Sequence, residues 1–212
     1  MNSVQVNGVQ YSERMAAHPH VRHDRTAVVD AALRILDEDG LPELTMRRLA
    51  AALEVQPSAL YHHVENKQTL LAAVADRIQA AARAAPSPEL GWYEATLQEA
   101  LNVRDALLAY RDGAEVVLST RALGLGTDLA HARLAAALGR HHDPETADLV
   151  ATALLHLILG DASLAQQRMQ ADSLGAVVAG LADASDPGLV FRLGAELLLS
   201  GLELAEQSTR RE

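Results

Sequence analysis

The sequence predicts an all-helical protein, because its apolar residues recur every three or four positions and helix breakers are few. The 212 residues include 7 prolines and 13 glycines, which separate long runs rich in alanine and leucine. In the first run, Asp24 to Asp39, Val28, Ala32 and Leu36 fall at helical spacing. Gly40 follows this run, as is typical of the residue just after a helix. We therefore expect α-helices along most of the chain.

Two short helices close to each other follow this first run. The first begins after Thr45, a good N-cap, and carries Leu49 and Leu53 four residues apart on its inner side. The second begins at Pro57 and ends near Val64. Only three residues separate the pair, so the two helices must meet at a steep angle. This is the geometry of a helix-turn-helix motif that places its second helix in the major groove of DNA.

The second helix of the pair has two chemically different faces. On a helical wheel, one arc carries a set of polar or exposed-type residues: Pro57, Ser58, Tyr61 and His62. The opposite arc carries the residues that pack inward: Ala59, Leu60, His63 and Val64. The alternative is an ordinary helical hairpin inside a core, and the split faces favour DNA binding.

Eight residues in and around this motif are expected to contact DNA. Those expected at base edges or thymine methyl groups are Gln56, Pro57 and Ser58. Those expected on phosphates are Tyr61, His62 and Lys67. Those expected to divide between the backbone and an adjacent base are Thr45 and Arg47.

The charge is unevenly distributed along the chain. The formal net charge is -10, but residues 1–85 carry 9 basic and 10 acidic side chains, against 9 and 18 in residues 86–212. The acidity is therefore mostly C-terminal. Phosphate contacts per subunit are few, so two copies are needed for useful affinity.

The composition limits the classes of protein that this chain can belong to. It contains no cysteine, which excludes disulfides and thiolate metal sites. The longest apolar run, Leu149 to Gly160, is too short to cross a bilayer, and no secretory signal is visible, so we expect a cytoplasmic protein. Without a phosphate loop or a spaced nucleophile and base, we expect no cofactor and no enzyme, and a helical enzyme is the least favoured alternative.

The N-terminal segment contains histidines that raise the alternative of a metal site. His18, His20 and His23 lie close together in sequence, but the segment is polar and no helix holds them in a fixed geometry. We therefore expect no metal. Residues 1–22 are instead predicted to be a flexible arm that brings Arg14 and Arg22 toward DNA, or that is disordered.

The remaining chain is predicted to divide into two domains. Residues 23–85 form the DNA-binding domain with its linking helix, which Pro86 to Pro88 end. Residues 86–212 form a second helical domain, with one long helix opening at Pro144 and a last helix running to about Gln207. Both are apolar over more than one face, which predicts a four-helix bundle shared by two copies. Central helices of a monomer are the alternative.

The helix-turn-helix motif and the start of the helix that follows it resemble the TetR family. The matching positions are Thr45, Arg47, Leu49, Ala50, Leu53, Val55, Leu60, Tyr61, His63, Lys67 and Leu70. The resemblance implies a bacterial, all-helical homodimeric regulator with a three-helix DNA-binding domain and a C-terminal domain that binds an inducer. One departure is Glu54, which occupies the turn position where the family usually has glycine and which carries a modest strain at positive φ.

Patches of the C-terminal half resemble the tetracycline repressor subgroup of that family, but not its drug site. The magnesium-ligating histidine is replaced by Val117, and other drug contacts are replaced by Glu99, Val103 and Leu164. We therefore expect no response to magnesium-tetracycline. A mostly apolar ligand is expected instead, oriented by a few polar residues: Arg104, Thr120, Arg121 and His156. Arg121 in an internal ion pair and His156 as a core histidine are the alternatives.

Together these observations predict a repressor that a small ligand releases from a palindromic operator. The alternative is a helical interaction or ligand-binding protein that does not bind an operator.

Overall fold

Every regular element that the structure describes is helical, which confirms the predicted fold class. The computed structural model describes residues 24–173, 175 and 186–209. The elements in these ranges are α1 (Arg25–Asp39), a 3-10 helix (Leu41–Glu43), α2 (Met46–Ala52), α3 (Pro57–Leu60), α4 (Lys67–Ala80), α5 (Trp92–Leu108), α6 (Gly113–Ala122), α7 (Leu129–Leu138), α8 (Pro144–Ser173) and α9 (Pro187–Thr209). The predicted arm, residues 1–22, lies outside the described residues.

Helices α1 to α4 pack around a small apolar core. The side chains at its centre are fully buried: Val28, Leu36, Leu49, Leu60 and Leu70. Side-chain caps begin three of these helices, because Asp24, Thr45 and Asn66 each accept a hydrogen bond from an N–H in the following first turn. These N–H groups have no partner within their helices, so the caps determine where the helices begin.

The turn between α2 and α3 has the geometry that the sequence predicts. Glu54 has φ +55°, in the left-handed region that favours glycine. The N–H of Val55 donates to the carbonyl of Ala50 at 3.0 Å, and the N–H of Glu54 donates to that of Ala51 at 3.2 Å. This pair of bonds is a Schellman motif, which satisfies the last carbonyls of α2 and directs the chain into α3.

The linking helix α4 ends at Ala80, five residues earlier than predicted. Carbonyls in the segment between α4 and α5 bond to arginines from α7 and from the residues that follow α7. Arg133 donates to the carbonyl of Arg83 at 2.6 Å, and Arg140 donates to the carbonyls of Pro86 and Ser87 at 3.2 and 3.0 Å. These distant donors hold the connection to α5 in an irregular conformation.

Helix α8 is the central helix of the C-terminal half and packs against α5, α6, α7 and α9. Its inner face, which includes Leu154, Ile158 and Ala162, is buried. By length and composition α8 is the one helix of the described residues that could cross a membrane. It is longer than its apolar run suggests, and 39% of its most apolar window is buried inside this single chain.

Candidate nucleic-acid interface

Helix α3 presents a continuous exposed surface to solvent. The exposed side chains of α3 and of the hydrogen-bonded turn that follows it form what we call the reading ridge: Pro57, Ser58, Tyr61 and His62. Tyr61 is 53% exposed, whereas Leu60 behind it is 1% exposed and belongs to the core. Hydrogen-bonded turns continue the helical path to Val64, whose N–H donates to the carbonyl of Leu60 at 3.0 Å. The burial pattern thus agrees with the two faces that the sequence predicts.

The residues beside the reading ridge are also accessible. Gln56 precedes α3 in an extended conformation, and its amide makes no side-chain capping bond. Thr45 is exposed, and its hydroxyl oxygen accepts the N–H of Arg48 at 3.1 Å, so the hydroxyl proton can still be donated to a phosphate. Lys67 is partly exposed in the first turn of α4.

Two neighbouring arginines in α2 have different surroundings. Arg48 forms ion pairs with Asp39 and with Glu43, the latter at 2.8 Å between Nη1 and Oε2. Arg47 is exposed, and no carboxylate of the described residues pairs with it. The charge of Arg47 is therefore available to a phosphate or a base edge, while that of Arg48 is neutralised within the protein.

The four residues expected to bind a ligand do not meet at one place in the structure. Arg104 pairs with Asp161 at 2.6 Å, and both side chains are mostly buried. Thr120 and Arg121 lie together on α6 and line the same cavity. His156 is exposed on the outer side of α8. Arg104 is therefore already paired, His156 lies apart from the others, and only Thr120 and Arg121 are neighbours.

The cavity beside α6 is small. Its volume is about 160 Å³, below the roughly 300–1,000 Å³ of typical ligand sites. The hydroxyl of Thr120 donates to the carbonyl of Val116 at 2.8 Å, and Arg121 forms an ion pair with Asp128. The Arg121 ion pair is the alternative that the sequence left open. In this conformation both polar groups bond to the protein itself.

The polar residues that connect α4 to the C-terminal half were not singled out from the sequence. Gln79 is 7% exposed and its Oε1 accepts the N–H of Ala130 at 2.9 Å. Asp76 accepts the N–H of Thr127 at 2.7 Å. Within the C-terminal half, Glu99 of α5, which the sequence identifies only as a replaced drug contact, is 1% exposed and pairs with Arg133 of α7. A glutamine among the apolar positions of α4 is the signal that could have identified the first of these contacts.

The reading ridge, its helix-turn-helix support and the attached helical half define a DNA-binding regulator. Residues 28–74 match the family model for bacterial regulatory proteins, tetR family. The chain is 32% identical to the class C tetracycline repressor of Escherichia coli over 204 residues, which are 87% of this chain and 93% of that repressor. The chain therefore belongs to the TetR family of transcriptional regulators. Members of this family are not enzymes, in agreement with the sequence.

Other curated relatives align over shorter spans. The class E tetracycline repressor of Escherichia coli is 36% identical over 135 residues, which are 63% of this chain and 64% of that repressor. The class D repressor of Escherichia coli is 44% identical over 102 residues, which are 47% of each chain. The chain therefore spans less than two thirds of these two relatives.

Solved structures share the fold over nearly their whole length. BioQ of Mycobacterium smegmatis superposes with a TM-score of 0.76 at 38% identity, covering 85% of this chain and 98% of that one. BioQ with its natural double-stranded DNA operator gives 0.70 at 36% identity, with the same coverage. A TetR variant from Acinetobacter baumannii in complex with minocycline gives 0.71 at 29% identity, covering 87% and 98%.

Proposed function

We propose that this protein is a homodimeric repressor that binds a two-fold symmetric operator and is released by a small, mostly apolar ligand. The observation that carries the proposal is the exposed reading ridge on α3, supported from behind by buried Leu60. Two related chains support it: the class C tetracycline repressor is named as a repressor, and BioQ was crystallised with its operator. A regulator of this kind acts on DNA in the cytoplasm.

The proposed roles in DNA binding follow the exposure of each side chain. We assign base edges and thymine methyl groups to Gln56, Pro57 and Ser58, and phosphates to Tyr61, His62 and Lys67. Thr45 and Arg47 divide between the backbone and an adjacent base. Arg48 is left out of this set because Asp39 and Glu43 neutralise it.

The proposed dimer surface is the outer face of α8 and α9. Both helices expose large apolar side chains along their length: Leu149, Leu164, Leu189, Val190, Leu193, Leu197 and Leu204. A Cβ added at Gly160 or Gly201 would meet nothing within 4 Å, so a partner helix can approach closely there. A contiguous apolar surface of this kind marks an interface. A second copy would bury it in a four-helix bundle.

His156 lies on this same outer face of α8, between Leu149 and Leu164. In the proposed dimer it faces the partner copy, so it can reach a ligand only where the two copies meet. Thr120 and Arg121 are the better candidates for ligand contacts within one copy, because both line the cavity beside α6.

The proposed ligand is not a magnesium-tetracycline chelate. Val117 is buried on α6, and the resemblance to the tetracycline repressor subgroup implies that it replaces the magnesium-ligating histidine, so it would offer no donor atom. Among the described residues, no three metal-ligating side chains group together. Magnesium requires oxygen or imidazole donors in octahedral geometry. Val117 and Leu125 are the apolar side chains that line the cavity beside α6, and we propose that they contact the apolar part of the ligand.

The division of the chain is part of the same proposal. Residues 23–85 act as the DNA-binding domain and residues 86–212 as the ligand-binding and dimerisation domain. A coupling of about 1–3 kcal/mol between ligand and DNA corresponds to roughly 5- to 150-fold release.

The test is selection of duplexes that bind the purified full chain from a random DNA pool. A two-fold symmetric motif with half-sites about 34–36 Å apart, or a multiple of that distance, is the expected result. If the chain retains no duplex even at low ionic strength, the proposal is wrong. A well-formed dimer without salt-dependent DNA binding would then indicate an interaction or ligand-binding protein.

A further inference from the structure

The turn between α5 and α6 contacts the DNA-binding unit at the end of α1 and at the residue after Gly40, not through the linking helix. Asp112 Oδ2 accepts the backbone N–H of Leu41 at 2.7 Å. The N–H of Arg111 donates to Asp37 Oδ1 at 3.2 Å, and its Nη1 donates to the carbonyl of Glu38 at 3.4 Å. These three hydrogen bonds join residues 71 to 74 positions apart in the chain. We call this set of contacts the domain clasp.

Asp112 is held in an unusual conformation within the clasp. Its φ is +56°, in the left-handed region, and its exposed fraction is 5%. Few residues other than glycine adopt this conformation, although aspartate and asparagine tolerate it. A buried carboxylate is unfavourable unless it is hydrogen-bonded. Both carboxylate oxygens are bonded, one to Leu41 and the other to Gln170. The carboxylate therefore compensates for its own burial by joining two parts of the molecule.

Gly40 lets the two parts approach each other. It has φ +90°, and a Cβ added there would lie 3.0 Å from Asp112 Oδ2 and 3.1 Å from Arg111 Nε. Both the positive φ and the short distances favour glycine. The residue that follows α1 and the turn after α5 thus pack closely against each other.

The clasp is anchored on α8, the helix proposed to lie in the dimer surface. Gln166 is 5% exposed. Its Oε1 accepts the N–H of Ala114 at 3.1 Å, and its Nε2 donates to the carbonyl of Tyr110 at 2.8 Å. Gln170, one helical turn later, donates to Asp112. Hydrogen bonds therefore run from α8 through the turn to the N–H of Leu41.

We propose that Asp112 is a positioning residue that fixes the orientation of the DNA-binding unit on the C-terminal half. The inference rests on the proposed function, because in a dimer this orientation sets the distance between the two reading ridges. The linking helix α4 provides the other attachment, because it packs against α5, α6 and α7 and bonds to the C-terminal half through Asp76 and Gln79. One attachment permits rotation, whereas two attachments at separate places restrain it.

The consequence concerns operator spacing rather than contacts with bases. A dimer with fixed ridges binds half-sites at one separation and rejects others. A dimer whose DNA-binding units rotate more freely accepts several separations. Loss of the clasp is therefore expected to reduce discrimination between spacers while leaving each half-site contact intact.

The test compares Asp112→Gly with Asp112→Asn in the full-length dimer. Glycine adopts φ +56° without strain and removes the acceptor, whereas asparagine keeps an acceptor oxygen and tolerates this conformation. The probe is the duplex selected from the random pool, with its central spacer lengthened or shortened by one base pair. We expect the wild-type chain and Asp112→Asn to lose affinity about tenfold on the altered spacers, and Asp112→Gly to lose less than about threefold. Affinity for a single half-site should be equal in all three.

Hydrogen exchange of the Leu41 amide gives a second readout that needs no DNA. We expect faster exchange in Asp112→Gly and wild-type exchange in Asp112→Asn. If the chain binds no duplex, the proposed function fails, while the exchange result still tests the clasp. Unchanged exchange of the Leu41 amide in Asp112→Gly would overturn the positioning role. Faster exchange combined with a wild-type loss of affinity on the altered spacers would also overturn it.

A second variant keeps the test valid if Asp112→Gly cannot be purified. Gln170→Ala removes the bond to the other carboxylate oxygen and places a good helix former in α8. Like Asp112→Gly, this variant should lose less affinity than the wild-type chain on the altered spacers. A folded Gln170→Ala dimer that loses as much affinity as the wild-type chain would overturn the proposal.

Discussion

The two halves of the molecule treat their polar residues differently. In the DNA-binding unit, the side chains expected to bind are exposed: Ser58, Tyr61 and Arg47 have no ion-pair partner among the described residues. In the C-terminal half, Arg104 and Arg121 are bonded to Asp161 and Asp128. A surface that must meet a highly charged polymer leaves its donors free, whereas polar groups inside a helical core need internal partners.

This difference separates two kinds of contribution to function. Exposed residues of the first half can be changed with little effect on folding, so their substitution reports on DNA binding. Paired residues of the second half stabilise the fold that positions the ridges, and the apolar outer face of α8 and α9 is the exception that remains available to a partner. The predictions below are ordered from the largest expected effect to the smallest.

A charge on the outer face of α9 should have the largest effect. Leu197→Asp places a carboxylate at the centre of the proposed dimer surface, where Leu197 is 65% exposed in the single chain. We expect monomers and a loss of operator affinity of at least about a hundredfold, because a monomer contacts only one half-site of the operator. Sedimentation and fluorescence anisotropy measure the two effects. Leu123→Asp is the matched control, since Leu123 is 63% exposed outside this face.

An unchanged dimer in Leu197→Asp would contradict the assignment of this surface. Equal loss in Leu123→Asp would show that the effect comes from any exposed carboxylate rather than from the interface.

Removal of Arg104 should destabilise the fold rather than alter ligand response alone. Arg104→Ala leaves Asp161 unpaired in a mostly buried position, and breaking a buried pair in this way lowers the free energy of unfolding by about 3 kcal/mol. Denaturant unfolding measures it. The double variant Arg104→Ala with Asp161→Ala should recover part of the loss. Wild-type stability of the single variant would show that the pair is not structural.

The two arginines of α2 offer a matched comparison within the DNA-binding unit. Arg47→Ala should reduce operator affinity about tenfold and make the salt dependence less steep by about one charge, with unchanged thermal stability. Arg48→Ala should leave affinity nearly unchanged, because Asp39 and Glu43 already neutralise that side chain. The opposite ranking in anisotropy titrations would contradict the assignment of Arg47 as the DNA contact.

The smallest effect is a pH dependence at the start of α8. Hydrogen bonds hold the pKa of the Asp143 carboxyl below its usual range, the largest effect coming from the N–H of Thr146 and the next from its hydroxyl. The stabilisation is therefore complete above the unfolded pKa of about 4 and is lost as pH falls toward the lowered folded value. Asp143→Asn should differ from wild type in melting temperature above about pH 5 and converge with it in acid. A pH-independent difference would contradict this account.

The helix-turn-helix unit was predictable because its determinants are local. Thr45 and Pro57 mark the starts of the two helices, and the turn at Glu54 follows from residues within six positions of one another. The early end of α4 was not predictable in the same way. The segment that follows Ala80 bonds to Arg133 and Arg140, which are about fifty positions away in the chain.

The C-terminal site was less predictable for a related physical reason. A sequence shows that Arg104 is a donor, but not that Asp161, 57 positions later, is already its acceptor. The same holds for Asp112, whose partner Leu41 is a backbone N–H in the other half. Pairing between distant elements depends on how helices pack, which periodicity within one helix does not describe.

The central claim is that two copies of the chain each place the exposed side chains of one α3 against base edges of the operator. It is tested most directly by repeating the random-pool selection with Ser58→Ala, using Lys67→Ala as the reference. We predict that Ser58→Ala changes the preferred base at two symmetry-related positions, and that Lys67→Ala weakens binding to every sequence without changing the motif. An unaltered motif from Ser58→Ala, or an altered one from Lys67→Ala alone, would contradict the claim.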